Sequence, residues 1–355
     1  MPFNDIFGQD RAIGTLRAAL RRGALHHAYL FGGPAGAGKG DVARALAQAA
    51  NCEVGDRVDD ACGRCAPCRK IARGVHPDVF VLSDERSMVK AGRWEPRSGR
   101  SPSKDIVVDQ VRDLVDHRLA MKRVEGRRRF VVIEPADAMN PQAQNALLKT
   151  LEEPPDETTL VLVASSPDAL LPTIRSRCAR VTFAPLPDAV IAERLQQEGR
   201  GPEEARLAAA LAAGSLGRAL ELDADELGEV REALTAAAAL DGRDARAWLG
   251  LAAEHGKDRE RARELCELLL VWLRDVIAVQ AAGDEAPLAL PGLSSETARV
   301  AAAISPAEVL RRRDGVRQTI AALRQNAVAT LALERMLIGW FEPTEGGGRA
   351  ESPRL

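Results

Sequence analysis

The chain has 355 residues, 46% hydrophobic, 28% charged and 3% aromatic. This composition excludes disorder and collagen-like repeats, and the length suggests two or three domains. With 49 Lys and Arg against 51 Asp and Glu the formal charge is -2, so any nucleic-acid contact must come from a local patch and not from a global field.

No apolar run approaches the roughly 20 residues that span a bilayer, and Met1-Pro2-Phe3-Asn4-Asp5 lacks the regions of a signal peptide. The expected location is cytoplasmic, with no membrane partner. In chain order, Ile13, Leu16 and Leu20 share one helical face. Strands are predicted at Tyr29–Phe31, Val79–Leu82, Phe130–Ile133, Leu160–Val163 and Val181–Phe183, each a near-continuous apolar run of the kind buried on both faces. The helical stretches between them predict a βαβ rhythm and a parallel five-stranded sheet. The stretch 83–104, rich in Arg, Ser and Gly, reads as a mobile loop. From about Pro185 the strand-like runs stop and Ala, Leu, Glu and Arg dominate, which predicts an all-α second half. There Leu265, Leu268, Leu269, Trp272, Leu273 and Ile277 form one apolar stripe and Leu333, Met336, Leu337 and Trp340 another. Residues 345–355 read as a frayed tail.

Gly33-Pro34-Ala35-Gly36-Ala37-Gly38-Lys39-Gly40 lies between the first strand and a helix, the context of a phosphate-binding loop. Its backbone N–H groups and helix N-terminus would cradle phosphates and Lys39 would supply a point charge. The plain alternative is a glycine-rich strand–helix turn. Gly40 stands where Ser or Thr would hold Mg²⁺. ATP or ADP binding is therefore expected to be weak and Mg²⁺ poorly held. The third strand ends in Glu134-Pro135-Ala136-Asp137. An ATPase of this type carries a metal-binding acid and then a catalytic Glu at that point. Glu134 and Asp137 retain carboxylates, but Pro135 cannot act as a base.

Cys52, Cys62, Cys65 and Cys68 give C-x9-C-x2-C-x2-C, a spacing suited to structural tetrahedral Zn²⁺. An iron–sulfur cluster or unligated thiols would use the same residues. Cys178 and Cys266 stand alone, as core residues do. Asn145 to Pro155 is a helix stopped by two prolines, and Thr173 to Cys178 carries Arg175 and Arg177. Two such arginines would ordinarily be solvated surface.

Several of these stretches resemble the clamp-loader subunits of bacterial DNA polymerase III, in the AAA+ superfamily. They are Phe7-Gly8-Gln9, Leu25 to Phe31, the four-cysteine insert, His76-Pro77-Asp78, Asn145 to Pro155, Ser176-Arg177-Cys178 and Gly214 to Leu220. The resemblance implies an α/β AAA+ module over 1–183, a helical lid over 184–224, a helical collar over 225–342 and a flexible tail over 343–355. In that family the gamma and tau ATPases keep Thr after the loop lysine and an acidic pair after the strand. The erosion here resembles the member that does not hydrolyse its own ATP. On this resemblance Arg177 is a trans-acting arginine finger, Ser166 lies near sensor 1, and Arg218 is the sensor-2 arginine that completes the nucleotide site. The implied partners are gamma/tau and delta in a hetero-pentameric ring, with the sliding clamp and primed DNA met through the complex. The alternatives are a working gamma/tau-type ATPase, an unrelated P-loop NTPase and a purely structural zinc protein.

Overall fold

Five apolar runs spaced by helical segments can bury both their faces only as a parallel sheet covered on each side. The computed structural model builds that sheet from β1 (Ala28–Gly32), β2 (Val79–Leu82), β3 (Arg129–Ile133), β4 (Thr158–Ala164) and β5 (Ala179–Thr182), in the order β2-β3-β4-β1-β5 with every neighbour parallel. The structure describes residues 1–54, 59–96, 101–240 and 244–341; the expected tail, 343–355, lies outside them.

Side chains alternate along each strand. Val161 and Val163 of β4 join Phe31, Leu16 and Leu46 on one face, while Leu160 and Leu162 join Leu30, Val131 and Leu147 on the other. The helices of this half are α1 (Asp10–Arg21), α2 (Lys39–Asn51), α3 (Ala66–Ala72), α4 (Glu85–Lys90), α5 (Val108–Asp113), α6 (Pro141–Glu152) and α7 (Pro172–Arg175). Ile13, Leu16 and Leu20 of α1 are all buried in the first of these faces.

Two expectations need correction here. At the sheet edge β5 buries only Val181 fully; Arg180 and Thr182 are exposed, because no further strand pairs beyond them. Phe183 falls just past the strand, where it is buried and its ring lies 5.1 Å from that of Phe31. The stretch 83–104, read as a loop, carries α4, capped by the Asp84 side chain on Ser87 N. It is anchored by Glu85, 1% exposed, which accepts from the indole of Trp94 and the backbone N–H of Ser103. Residues 97–100 of it lie outside the described set.

The chain divides into two compact units. The first is Met1–Pro187 with Gly214–Gly217; the second is Asp188–Ala213 with the chain from Arg218 on. The second half contains helices only, among the described residues: α8 (Asp188–Gln197), α9 (Pro202–Leu211), α10 (Leu216–Glu221), α11 (Ala224–Ala238), α12 (Ala245–His255), α13 (Arg259–Ala282), α14 (Ser294–Ala303), α15 (Pro306–Arg324) and α16 (Ala329–Phe341). Both predicted stripes serve the core of this unit: Leu265, Leu268, Leu269, Trp272 and Leu273 on α13, and Leu333, Met336, Leu337 and Trp340 on α16, are all buried, while Ile277 at the end of the first stripe is half-buried. They are therefore not free apolar faces for another subunit. Other apolar residues here are more open: Val328, just before α16, and Leu331 and Ile338 on it are 64%, 62% and 41% exposed. No helix among the described residues is long and apolar enough to cross a membrane.

Candidate functional site

The glycine-rich segment connects the C-terminal end of β1 to α2. Gly38, with φ +78°, is the last residue before the helix, in a left-handed conformation that costs other residues strain. Lys39 is 5% exposed, and its Nζ donates to the carbonyl oxygens of Gly33, at 2.7 Å, and Pro34. The lysine thus curls back onto its own loop. Burial lowers its pKa, opposed by the negative charges of Glu134 and Asp137, so the loop and the acidic strand end form one electrostatic site.

Gly40 matters through what it leaves open. A Cβ there would stand 2.3 Å from both carboxylate oxygens of Glu134. The space of the missing hydroxyl side chain is filled by Glu134, which Arg44 reaches at 3.4 Å while also pairing with Asp41 at 2.9 Å. Pro135 follows directly, with no ionisable group. Asp137 caps the next strand's exit: its Oδ2 accepts from the backbone N–H groups of Ser165 and Ser166, at 3.1 and 2.8 Å. Ser166 is thereby held beside the acidic strand end, with its side chain exposed. Arg218 lies in the second unit, where it pairs with Glu267 at 2.9 Å.

Arg177 sits at the other end of the sheet. It immediately precedes Cys178 and β5, whereas the glycine loop follows β1, and β1 and β5 run parallel in register from Tyr29↔Ala179 to Gly32↔Thr182. About four strand residues, or roughly 13 Å, separate the two ends. The guanidinium donates from Nη1 to the carbonyl of Thr173 at 2.9 Å and from Nη2 to Glu152 Oε1 at 2.6 Å. The segment before β5 is a helical turn and not an extended one, since Ser176 N donates to Pro172 O and Arg177 N to Ile174 O. Arg175, the last residue of α7, is engaged by Asp168 and not by Glu152.

The four insert cysteines converge. Cys52 caps the end of α2, Cys65 precedes α3, and Cys68 lies in the first turn of α3. All four Sγ atoms lie within 4.8 Å of one another, close to the roughly 3.8 Å spacing of thiolates around tetrahedral zinc. Backbone N–H groups of Arg64 and Cys65 point at Cys62 Sγ, at 3.4 and 3.3 Å, and that of Cys62 points at Cys52 Sγ, at 3.4 Å. Burial opposes ionisation of Cys62, but these N–H groups and the neighbouring thiols hold it down at about 6. A soft donor set with one ready thiolate and amides turned toward sulfur fits a metal ion. Cys178 and Cys266 are buried away from this cluster, and burial pushes each thiol up to about 12.

Sequence reasoning missed three residues that shape these sites. Glu152 is the partner of Arg177. Asp60, 4% exposed in the cysteine insert, accepts from Phe3 N, Asn4 N and Arg17, and so ties the insert to the start of the chain. Asp78, 1% exposed, accepts from the N–H groups of Val124, Glu125 and Gly126 and fixes the turn before β3. Asp78 and Glu152 both lie in stretches that carry the family resemblance, His76-Pro77-Asp78 and Asn145 to Pro155, and Glu152 is also one of two acids at a helix C-terminus, where the dipole disfavours them.

A protein-family model described as DNA polymerase III, delta subunit, matches residues 8–187, just over half of the chain. The chain belongs to this family. It is 45% identical over 163 residues to DNA polymerase III subunit delta-prime of Pseudomonas aeruginosa, a match that covers 46% of this chain and 44% of that protein. It is 29% identical over 282 residues to subunit delta-prime of Bacillus subtilis, covering 78% and 79%. Among solved structures, a DNA polymerase III gamma subunit-related protein of Thermotoga maritima is similar with a TM-score of 0.48 at 17% identity, over 93% of this chain and 98% of that one.

Proposed function

We propose that this chain is the stationary, delta-prime member of a DNA polymerase III clamp loader: a non-catalytic subunit that helps load the sliding clamp on primed DNA and lends Arg177 to a neighbouring ATPase. The observation that carries this reading is the placement of Arg177 at the sheet end opposite its own glycine loop. An arginine there cannot serve a nucleotide on Lys39, whereas it can serve one bound by the next subunit. A guanidinium presents planar donors to phosphate oxygens and keeps its charge at any working pH, so it stabilises charge that develops as the γ-phosphate leaves.

The chain's own loop supports the same reading. Gly40 supplies no hydroxyl to Mg²⁺, its space is taken by Glu134, and Pro135 supplies no base. Hydrolysis in cis is negligible and any ATP or ADP is weakly held, with Ser166 and Arg218 as the sensor residues that the resemblance implies. Cys52, Cys62, Cys65 and Cys68 hold one structural Zn²⁺, which when bound fixes the insert between α2 and α3. The helices of residues 184–224 act as the lid and those of 225–342 as the collar of a five-subunit ring with gamma/tau and delta, in the cytoplasm.

The test is ATP turnover and clamp loading by the reconstituted complex carrying wild-type, Arg175→Ala or Arg177→Ala chain. Arginine fingers contribute roughly 10³–10⁵ in rate at the site they serve. Total turnover should fall only in part with Arg177→Ala, since other interfaces keep their own fingers, and should be unchanged with Arg175→Ala. Wild-type turnover and loading with Arg177→Ala would overturn the trans-acting role.

A further inference from the structure

We infer that Glu152 is a positioning residue for Arg177, bracing the guanidinium from inside the subunit so that its remaining donors face outward. The inference rests on the trans-acting role proposed for Arg177.

The brace is built from two separated pieces of chain. Glu152 is the last residue of α6, and Glu153 and two prolines follow it. The C-terminal end of a helix carries partial negative charge, so acids there are locally unfavourable. Glu152 and Glu153 both break this rule, and such departures commonly mark a functional constraint; Glu152 is the one that meets Arg177. Here the compensation is Arg177, whose Nη2 meets Glu152 Oε1 at 2.6 Å while Nη1 meets the carbonyl of Thr173 at 2.9 Å. One N–H of each terminal nitrogen is thus tied to its own subunit. The guanidinium plane is fixed by two bonds to different elements, and its other N–H groups stay available to an acceptor outside.

Stability of the fold does not account for the pair. The two side chains are 35% and 50% exposed, and ion pairs so placed add little to folding. Orientation is a different matter. A phosphate grip depends on the direction of a planar fork, and a small misplacement of a catalytic donor costs far more in rate than in stability. A carboxylate is also the strongest acceptor available for holding an arginine by one edge.

The experiment uses the reconstituted complex and measures kcat and KM for ATP with Glu152→Ala, Glu152→Gln, Glu153→Ala, Arg177→Ala and the Glu152→Ala/Arg177→Ala double variant. Glu152→Ala should lower the arginine-dependent part of kcat by roughly threefold to tenfold with KM unchanged, the mark of an interaction made in the transition state. Glu152→Gln, which keeps an acceptor oxygen, should recover part of that loss. Glu153→Ala should match wild type, and the double variant should match Arg177→Ala alone. If Arg177→Ala lowers kcat while Glu152→Ala leaves it unchanged, raises it, or still lowers it in the absence of the arginine, the brace is wrong and the finger stands. If Arg177→Ala itself has no effect, both readings fall.

Discussion

The carboxylate of Glu134 occupies the place of a side chain on Gly40: a Cβ at residue 40 would lie 2.3 Å from each of its oxygens. The two departures from a working phosphate site, one after the loop lysine and one at the end of β3, are therefore a single steric arrangement. Restoring a side chain at one position collides with what fills the other.

From this follows a prediction about residue 40. In a helix interior Ala is favoured over Gly by about 1 kcal/mol; Gly40 is in the first turn of α2, so Gly40→Ala should stabilise the chain by up to about that much where nothing obstructs it. With Glu134 present, the carboxylate and its Arg44 partner must move, and the gain should be lost. With Glu134→Ala it should appear, which chemical denaturation of the four members of the double-mutant cycle would read as non-additivity of up to about 1 kcal/mol. Gly40→Thr should not bring the isolated chain's ATP turnover above wild type, because Pro135 still lacks a base. Additive stabilities would show that Glu134 swings aside freely.

Metal binding should be local and stoichiometric. Elemental analysis of the purified chain should find one zinc, lost with Cys52→Ser, Cys62→Ser, Cys65→Ser or Cys68→Ser and retained with Cys178→Ser or Cys266→Ser. Because site and insert fold together, chelation should speed amide exchange at residues 59–68. Through Asp60 the effect should spread to Phe3 and Asn4, whose N–H groups it holds. Helix α13 should be unaffected. Iron, or no metal, would remove the assignment.

Much of this architecture is legible in the residues alone, and the exceptions share a cause. The runs around Phe31, Val132 and Val161 announce buried strands because each is apolar along its whole length, and the four cysteines announce their cluster because ligands and spacing lie within one short segment. What could not be read depends on residues far apart. Glu134 meets Gly40, and Glu152 meets Arg177, across stretches of chain that no local pattern connects. In 83–104 the polar composition conceals Glu85, a buried acid satisfied by Trp94 and Ser103. On α16 the period of 3.6 identifies residues that share a face, but not whether that face is covered by the same domain.

The enclosed His76 imidazole, beside the turn held by Asp78, should make the first unit acid-sensitive. Burial pushes the His76 imidazole below its ordinary value, against the opposing charges of Glu125 and Asp78, and its side chain is fully enclosed. A histidine with a lowered folded pKa contributes stability above its unfolded pKa of about 6.5 and loses it as pH falls below that. The Asp78 carboxyl resists burial because the N–H groups of Gly126, Glu125 and Val124 hold it below the usual range; its contribution is kept until pH falls below about 4. Thermal unfolding between pH 7.5 and 5.5 should therefore show stability declining toward acid, by no more than about 1.4 kcal/mol per pH unit from one histidine. His76→Gln should lower stability at pH 7.5 and flatten the slope, whereas Asp78→Asn, which removes a charge that raises the His76 pKa, should lower stability throughout this window and leave the decline toward acid at least as steep. An unchanged slope in His76→Gln would assign the acid sensitivity elsewhere, with His27 and His255, also lowered by burial, the next groups to test.

The two faces of α16 should separate folding from assembly. Leu333 and Leu337 are fully buried in the second unit's own core, so Leu333→Ala should cost about 2–5 kcal/mol of stability, as leucine truncations in packed cores do. Val328, just before the helix, and Leu331 and Ile338 on it lie on the more solvent-facing side, and replacing them removes far less packing than replacing Leu333 or Leu337. Val328→Ser, Leu331→Ser and Ile338→Ser should each leave unfolding within about 0.5 kcal/mol of wild type. If this face is where the collar meets a neighbouring subunit, the triple variant should be monomeric and folded but recovered poorly with gamma/tau and delta. Co-purification of the folded triple variant at full stoichiometry would exclude the outer face of α16 from the interface. The collar would then have to rest on another helix, since the buried face has no side chains to give.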